Sequence, residues 1–335
     1  MSKNITIADV AEALGVSKTT VSRAISGKGR IGEATRNRVL AYIEENDYKP
    51  NVIAKSLAQS KTFNLGIVMP SNYELVDLPF FQEVIMGIQK IASMMEYDLL
   101  LCICQEKDIS ALERVVSNRK VDGIILLRTY LEDPQIELLQ KKKVPFVTVG
   151  STTYPGVHQI DHDHEGACKE LTSLLLMQES KRIALLGGNE NFVVTRNRYL
   201  GFCDAFSDRN LEPNASLIYM NLDTNAFIDR AVEEVIDKGA DVILCMDDAI
   251  CGQVLRKLKE MNIHVPTDVK LASFYNSTVL ENNVPSITSL FFDAMELGMV
   301  TCKTLLSLLE EDANVAEKTL LNYQVVLRQS TKALQ

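Results

Sequence analysis

Past residue 62, short apolar runs recur with room for one helix between each pair. "NLGIVM", "DLLLCIC", "DGIILL" and "PFVTVG" form one such series. "RIALLGG", "DVILCM" and "KLASFY" form a second. Each run is too short for a buried helix, rich in β-branched residues and Leu, and apolar on both alternating faces. That is the pattern of a strand buried on both sides of a parallel sheet. The amphipathic stretches between them predict helices beginning near Pro79, Ile109 and Asp133, then near Arg196, Asn225 and Asp248. Two βα series of similar length predict an α/β chain with two doubly wound subdomains facing across a cleft. Ligands in such sheets bind outside the carboxyl ends of the strands.

The N-terminal stretch obeys a different period. In "ITIADVAEALGVSKTTVSRAIS", Thr6 is placed to cap a first helix, with Asp9 completing a capping box. Val10, Ala11 and Leu14 make the inward stripe of that helix. Gly15 stops it in a tight turn, and Ser17 caps a second helix that turns Val21, Ala24 and Ile25 inward. Ala11-x3-Gly15-x5-Val21 is the spacing of a helix-turn-helix: a small residue for the crossing, a glycine for the turn, a valine to lock the pair. A third amphipathic helix, from about Glu33 to Asn46, closes the miniature core with Val39, Leu40, Tyr42 and Ile43. Lys18, Thr19, Ser22 and Arg23 then face outward, where a major groove admits one helix. There Lys or Arg donates to guanine and Thr meets a thymine methyl.

Charge supports the division. The chain has 35 Lys/Arg against 44 Asp/Glu; residues 1–60 hold nine against six, net +3, and the remainder holds 26 against 38, net −12. A basic head on an acidic body directs only the head toward a polyanion. No run reaches the roughly 18 apolar residues of a membrane span, and the polar "MSKNIT" does not read as a signal peptide. Seven cysteines without a Cys-x-x-Cys pair are expected as free thiols in a reduced cytoplasm, Cys102 and Cys104 both buried by strand alternation.

The stretches "TIADVAEALGVSKTTVSRAISG", "TRNRVLAYIEENDYKPN" and "AKSLAQSKTFNLGIVMP", followed by "PFFQEVIMGI", "VDGIIL", "RIALLGG", "RNRYLGF" and "PSITSL", resemble in order the lactose-repressor/purine-repressor family of bacterial regulators. The resemblance runs from about residue 5 to residue 331. It implies a helix-turn-helix domain over 1–48, a hinge over 49–61 and a periplasmic-binding-protein-like core over 62–335. The chain would cross between subdomains near 160, 290 and 323, giving about 62–160 with 291–323 and about 161–290 with 324–335. The implied function is a cytoplasmic, nucleoid-associated repressor. As a homodimer it would bind a pseudo-palindromic double-stranded operator under a small effector, first of all a sugar such as maltose or a maltooligosaccharide. No membrane, cofactor, metal or catalysis is called for. The DNA-contact set carried over is Thr6, Ser17, Lys18, Thr19, Thr20, Ser22 and Arg23, with Asn51, Ala54, Leu57 and Ala58 in the hinge. Gly32, where the family often has a Ser cap, is a mild departure.

For the effector, Phe80 and Phe81 open a helix on the cleft rim, where an aromatic pair is often core but also suits a ligand face. Arg198 matches the arginine that donates to sugar hydroxyls, although an arginine there is commonly a surface ion-pair residue. Asp247 holds the strand-end polar position, with simple capping of the next helix by Asp247 or Asp248 as the alternative. "SFYN" puts Tyr275 where the family carries a ligand-binding acid, and "LD" after "LIYMN" replaces a frequent aromatic. These departures leave open a non-sugar effector. The remaining rival is "DHDHE", residues 161–165. Strand alternation would set His162 and His164 on one face and Asp161, Asp163 and Glu165 on the other. A metal-dependent hydrolase would therefore need further ligands from a chain with four histidines, and a crossover lining the cleft is the expected role.

Overall fold

The computed structural model describes residues 5–26, 29–46, 48, 61–71, 79–178 and 180–332. The chain divides into two units, Met1–Thr62 and Phe63–Gln335.

The described residues of the first unit form three helices, α1 (Ile7–Leu14), α2 (Lys18–Ser26) and α3 (Glu33–Glu45). Thr6 and Asp9 form the capping box, each side chain serving the other's backbone N–H. Gly15 takes a left-handed φ of 63°, which costs an L side chain but not glycine. Val10, Ala11, Val21, Ala24 and Val39 are buried together, and Tyr48 joins them from beyond α3. The Arg38 guanidinium donates to the Leu14 carbonyl, which α1 leaves without a helical partner. Leu40 does not close this core as its sequence position suggested. It lies 40% exposed, one residue around α3 from the inward Val39, and Tyr48 supplies the missing bulk.

The second unit begins with β1 (Asn64–Pro70), α4 (Pro79–Met94), β2 (Asp98–Cys104), α5 (Ser110–Ser117), β3 (Gly123–Leu126), α6 (Pro134–Lys142), β4 (Phe146–Val149) and β5 (His158–His162). Then follow α7 (His164–Met177), β6 (Ile183–Leu186), α8 (Val193–Ser207), β7 (Ile218–Tyr219), α9 (Asn225–Asp237), β8 (Val242–Cys245), α10 (Asp248–Glu260) and β9 (Lys270–Ser273). The unit ends with α11 (Thr278–Asn282), β10 (Thr288–Phe291), α12 (Ala294–Leu309), β11 (Lys318–Leu321) and β12 (Gln324–Val326). The strands form two six-stranded sheets, ordered β11-β5-β4-β3-β1-β2 and β12-β10-β9-β8-β6-β7. All neighbours are parallel except β10 with β12.

Helices lie on both faces of each sheet, leaving one face of the β2 edge uncovered. Leu65, Ile67 and Ile125 pack toward α4 and α12, while the alternate Val68, Ile124 and Leu126 pack toward α5 and α6. In the second sheet Ile183 and Leu185 meet α7 and α8, and Ala184 and Leu186 meet α9 and α10. Helices α4 and α12 lie very close. A Cβ on Gly87 would fall 2.2 Å from the Met295 carbonyl oxygen, and one on Gly298 2.1 Å from that of Val84.

The chain passes from the first sheet to the second between His162 and His164, returns between Phe291 and Ala294, and passes again between Leu321 and Gln324. Two expectations need correction here. "DLLLCIC" is an edge strand, paired only with β1. Cys102 and Cys104 are buried as alternation requires, but Leu101 and Ile103 are half-exposed on the uncovered face. "DHDHE" is not one continuous strand. Asp163 caps α7 by accepting from the Gly166 N–H, so the alternation ends at His162. His164 swings back beside Asp161, with Nε2 3.4 Å from Oδ1.

Candidate functional site

On the first unit, Lys18, Thr19, Ser22 and Arg23 are exposed along one side of α2. Ser17 and Thr20 hold the start of that helix. The Thr20 N–H donates to Ser17 Oγ at 3.1 Å, and the two hydroxyls lie 2.9 Å apart. Thr6 spends its hydroxyl on Asp9 at 2.6 Å, so it orders α1. Gly29 has φ +92°, and a Cβ there would sit 3.2 Å from the Arg23 side chain. A glycine at this position keeps the arginine stem in its place. Asn51, Ala54, Leu57 and Ala58 lie outside the described residues.

In the second unit the strands of both sheets point their carboxyl ends at one cleft. Phe80, at the start of α4 under the first sheet, meets Tyr275, just beyond β9 of the second, with ring centroids 5.8 Å apart and edge-on. Phe81 is buried behind Phe80, 5.1 Å away. Tyr275 is itself buried, and its hydroxyl is pushed above the ordinary phenol range by burial and by the charge of Asp248. Arg198, one turn into α8, is buried and donates Nη1 to the Met246 carbonyl at the end of β8, while its shielded Nε–H finds no protein acceptor. Asp247 follows directly and caps α10, accepting from the Ile250 N–H at 2.8 Å. The carboxylate is thus committed on one oxygen. Its neighbour Asp248 is half-buried, and burial together with the Asp247 charge raises its pKa to about 6.

The five effector candidates read from the sequence all fall at this cleft, Phe80 against Tyr275 and Arg198 beside the Met246–Asp247 turn. Others at the same place went unread. Arg128 follows β3, with its guanidinium carbon 4.1 Å from the Phe192 ring centroid and 5.3 Å from that of Phe81. Burial pulls its pKa down to about 10, so it keeps its charge at neutral pH. Tyr130 stands edge-on to Phe192 at 5.6 Å, and the backbones bridge there. Leu131 N–H donates to Asn191 O at 2.9 Å and Val193 N–H to Thr129 O at 3.2 Å. The first subdomain is therefore closed on the second along one rim. The signal for Arg128 was a charged residue directly after a wholly apolar strand.

The two histidines of the crossover pack around one aromatic ring. Phe292 lies 5.0 Å from the His162 ring and 4.6 Å from that of His164. Burial pulls His162 down to about 4, so it is neutral at pH 7, and burial also lowers His164 against the opposing charge of Asp161. Burial works against the charge of Asp161, but His164 and the Ser151 hydroxyl and N–H hold it below the ordinary carboxylate range. No group of three or more His, Cys, Asp or Glu side chains suited to a metal ion occurs among the described residues. Nor is any helix of these residues long and apolar enough to cross a membrane.

Comparison with known proteins agrees with both halves of this picture. Residues 6–51 match the family described as bacterial regulatory proteins, lacI family. Residues 172–331 match the periplasmic binding protein-like domain. The HTH-type transcriptional regulator MalR of Streptococcus pneumoniae is 29% identical over 338 residues, covering 97% of each chain. Among solved structures, the complex of the transcriptional regulator CelR with cellobiose superposes with a TM-score of 0.73 at 25% identity, covering 97% of this chain and 99% of that one. The Lac repressor dimer bound to operator superposes with a TM-score of 0.83 at 22% identity, covering 99% and 100%, which bears on the fold.

Proposed function

Because the chain belongs to the lacI family of bacterial regulatory proteins, we propose that it is a sequence-specific repressor. Its operator affinity is set by a sugar bound between the two subdomains of its core. The observation that carries this reading is the convergence of Arg198, Asp247 and Tyr275 from one subdomain with Phe80 from the other. Aromatic faces suit the C–H surface of a pyranose, a guanidinium donates to hydroxyl oxygens, and a carboxylate accepts hydroxyl protons. A ligand touching both sides binds best at one subdomain angle. That differential affinity is what converts occupancy into a change elsewhere.

In the first unit, α2 enters the major groove and reads base edges with Lys18, Thr19, Ser22 and Arg23. A single helix reads too few base pairs for selectivity, so two copies of the chain act together on a two-fold operator. The glucose disaccharides are the first effectors to test. A MalR is among the relatives, and the related CelR was solved with cellobiose. In a thermal-shift screen of sugars, an effector at about 100 times its Kd adds about 2.7 kcal/mol of stability. The operator is first selected from a random duplex pool. Titrations of that operator with and without the stabilising sugar then test regulation. A stabilising sugar that leaves operator affinity unchanged would refute the regulatory part of the reading.

A further inference from the structure

Arg128 has no place in the cleft as the sequence read it. It leaves the carboxyl end of β3 in the first subdomain, and its guanidinium makes no hydrogen bond or ion pair with any described residue. It is held instead by two rings, Phe81 of its own subdomain and Phe192 of the other, at 5.3 and 4.1 Å. Its Nε–H is shielded and has no protein acceptor. Stacking attracts a guanidinium but satisfies none of its five N–H groups, and buried donors want acceptors. Across the cleft Arg198 shows the same shortfall, its Nε–H also shielded and without an acceptor. Two guanidiniums from opposite subdomains thus stand within electrostatic reach of each other, each with a buried N–H that no protein acceptor meets.

The charge around them decides what kind of ligand fits. Asp247 lies within electrostatic reach of Arg128, and Asp248 within reach of Arg198. Two carboxylates offset two guanidiniums, so an anionic ligand would gain attraction from one pair and repulsion from the other. A neutral ligand rich in hydroxyls takes from both, accepting from the forks and donating to the Asp247 oxygen that does not cap α10.

We propose that Arg128 is a specificity-determining residue of the effector site. It donates to hydroxyls of a neutral sugar from the first subdomain while Arg198 donates from the second, and its stacking on Phe192 ties sugar capture to closure of the cleft. The proposal rests on the cleft being the effector site. The test is calorimetric titration of maltose and of cellobiose into the full chain and into Arg128→Met, Arg128→Lys and Arg198→Ala, each checked for folding by circular dichroism. Arg128→Met keeps an apolar stem against the rings and removes every donor. It should weaken the sugar that binds by about tenfold to a hundredfold, the range of lost charged hydrogen bonds. Lysine restores the charge but not the planar fork, and should recover part of the loss. Arg128→Met binding like wild type, with Arg198→Ala losing the sugar, would overturn the proposal and leave the cleft reading intact. Wild-type affinity in both variants would overturn the cleft reading too. A wild-type chain that takes neither sugar refutes the glucose-disaccharide ligand and the proposal together. Glucose 6-phosphate displacing the bound sugar more strongly than glucose would overturn the choice of a neutral ligand.

Discussion

Replacing Arg198 with alanine separates the two functions of the chain most cleanly. In the protein as it stands, the substitution removes one donor from the Met246 carbonyl. A buried acceptor left alone costs about 1–3 kcal/mol. Against the 5–15 kcal/mol of an ordinary domain, that leaves the unit folded. No residue of α2 is touched, so operator binding without effector persists. On the proposed function, however, the sugar loses the fork that faces its hydroxyls. Charged hydrogen bonds are worth about 1.5–3 kcal/mol each, so the effector weakens by one to two orders of magnitude. The assay is fluorescence anisotropy of labelled operator at fixed salt, repeated across a titration of effector. Wild type should shift its operator Kd on adding sugar, and Arg198→Ala should reach the same shift only at about tenfold to hundredfold more sugar. A full response retained by the variant would place the ligand elsewhere and leave Arg198 a structural partner of the β8 turn.

Arg23→Ala should cost about 1–3 kcal/mol of operator affinity and relax base preference at one position, read by titrating single-base operator variants at one ionic strength. Leu57→Gly should abolish operator bending in a gel-phasing assay while sugar binding persists, on the proposal carried by the family resemblance that Leu57 is the apolar wedge that kinks a minor-groove step. Gly298→Ala forces a Cβ to within 2.1 Å of the Val84 carbonyl oxygen; about 1–3 kcal/mol of overpacking should appear as a lower Tm. Asp248 gives a pH signature. Its folded pKa of about 6 lies above the ordinary 3.8, so the folded state holds the proton longer, and stability from this group falls as pH rises between those values. Asp248→Asn should therefore gain on wild type from pH 4 to 6 in denaturant melts and run parallel above 7.

The parts of the fold that could be read are those where local pattern and tertiary role coincide. Val68 and Ile67 must face opposite helical layers, so their run is apolar throughout and declares a buried parallel strand. Thr6, Asp9 and Gly15 declare the ends of α1 because caps and left-handed turns are local chemistry. Position in a sheet is not local. β2 carries the same apolar letters as β1, and only the strand order makes it an edge and leaves Leu101 in water. α7 escaped notice for a related reason. Its N-cap, Asp163, sits inside an alternating Asp–His string that mimics a strand, and the helix shows only once His164 is seen turning back to Asp161. At the cleft, Arg198 and Asp247 stand out by motif as candidates. Arg128 and Phe192 come from opposite subdomains, and no one-dimensional spacing links them.

The three passages between the sheets also decide when each half of the core can be finished. Two pieces of the first subdomain, α12 and β11, are encoded after β10 of the second, and α12 is the helix that Gly87 of α4 leaves room to receive. On a ribosome the N-terminal subdomain therefore cannot be completed first, although domains ordinarily mature in order of synthesis. Strands β6 to β10 emerge as an almost whole second sheet while α4 still shows its bare apolar flank. That flank, with Val84, Ile88 and Ile91, waits for more than two hundred residues of further translation. The nascent chain is most vulnerable to capture by chaperones or to aggregation in that interval, and a ribosome stalled before residue 294 releases a polypeptide whose second half is nearly folded and whose first half is open.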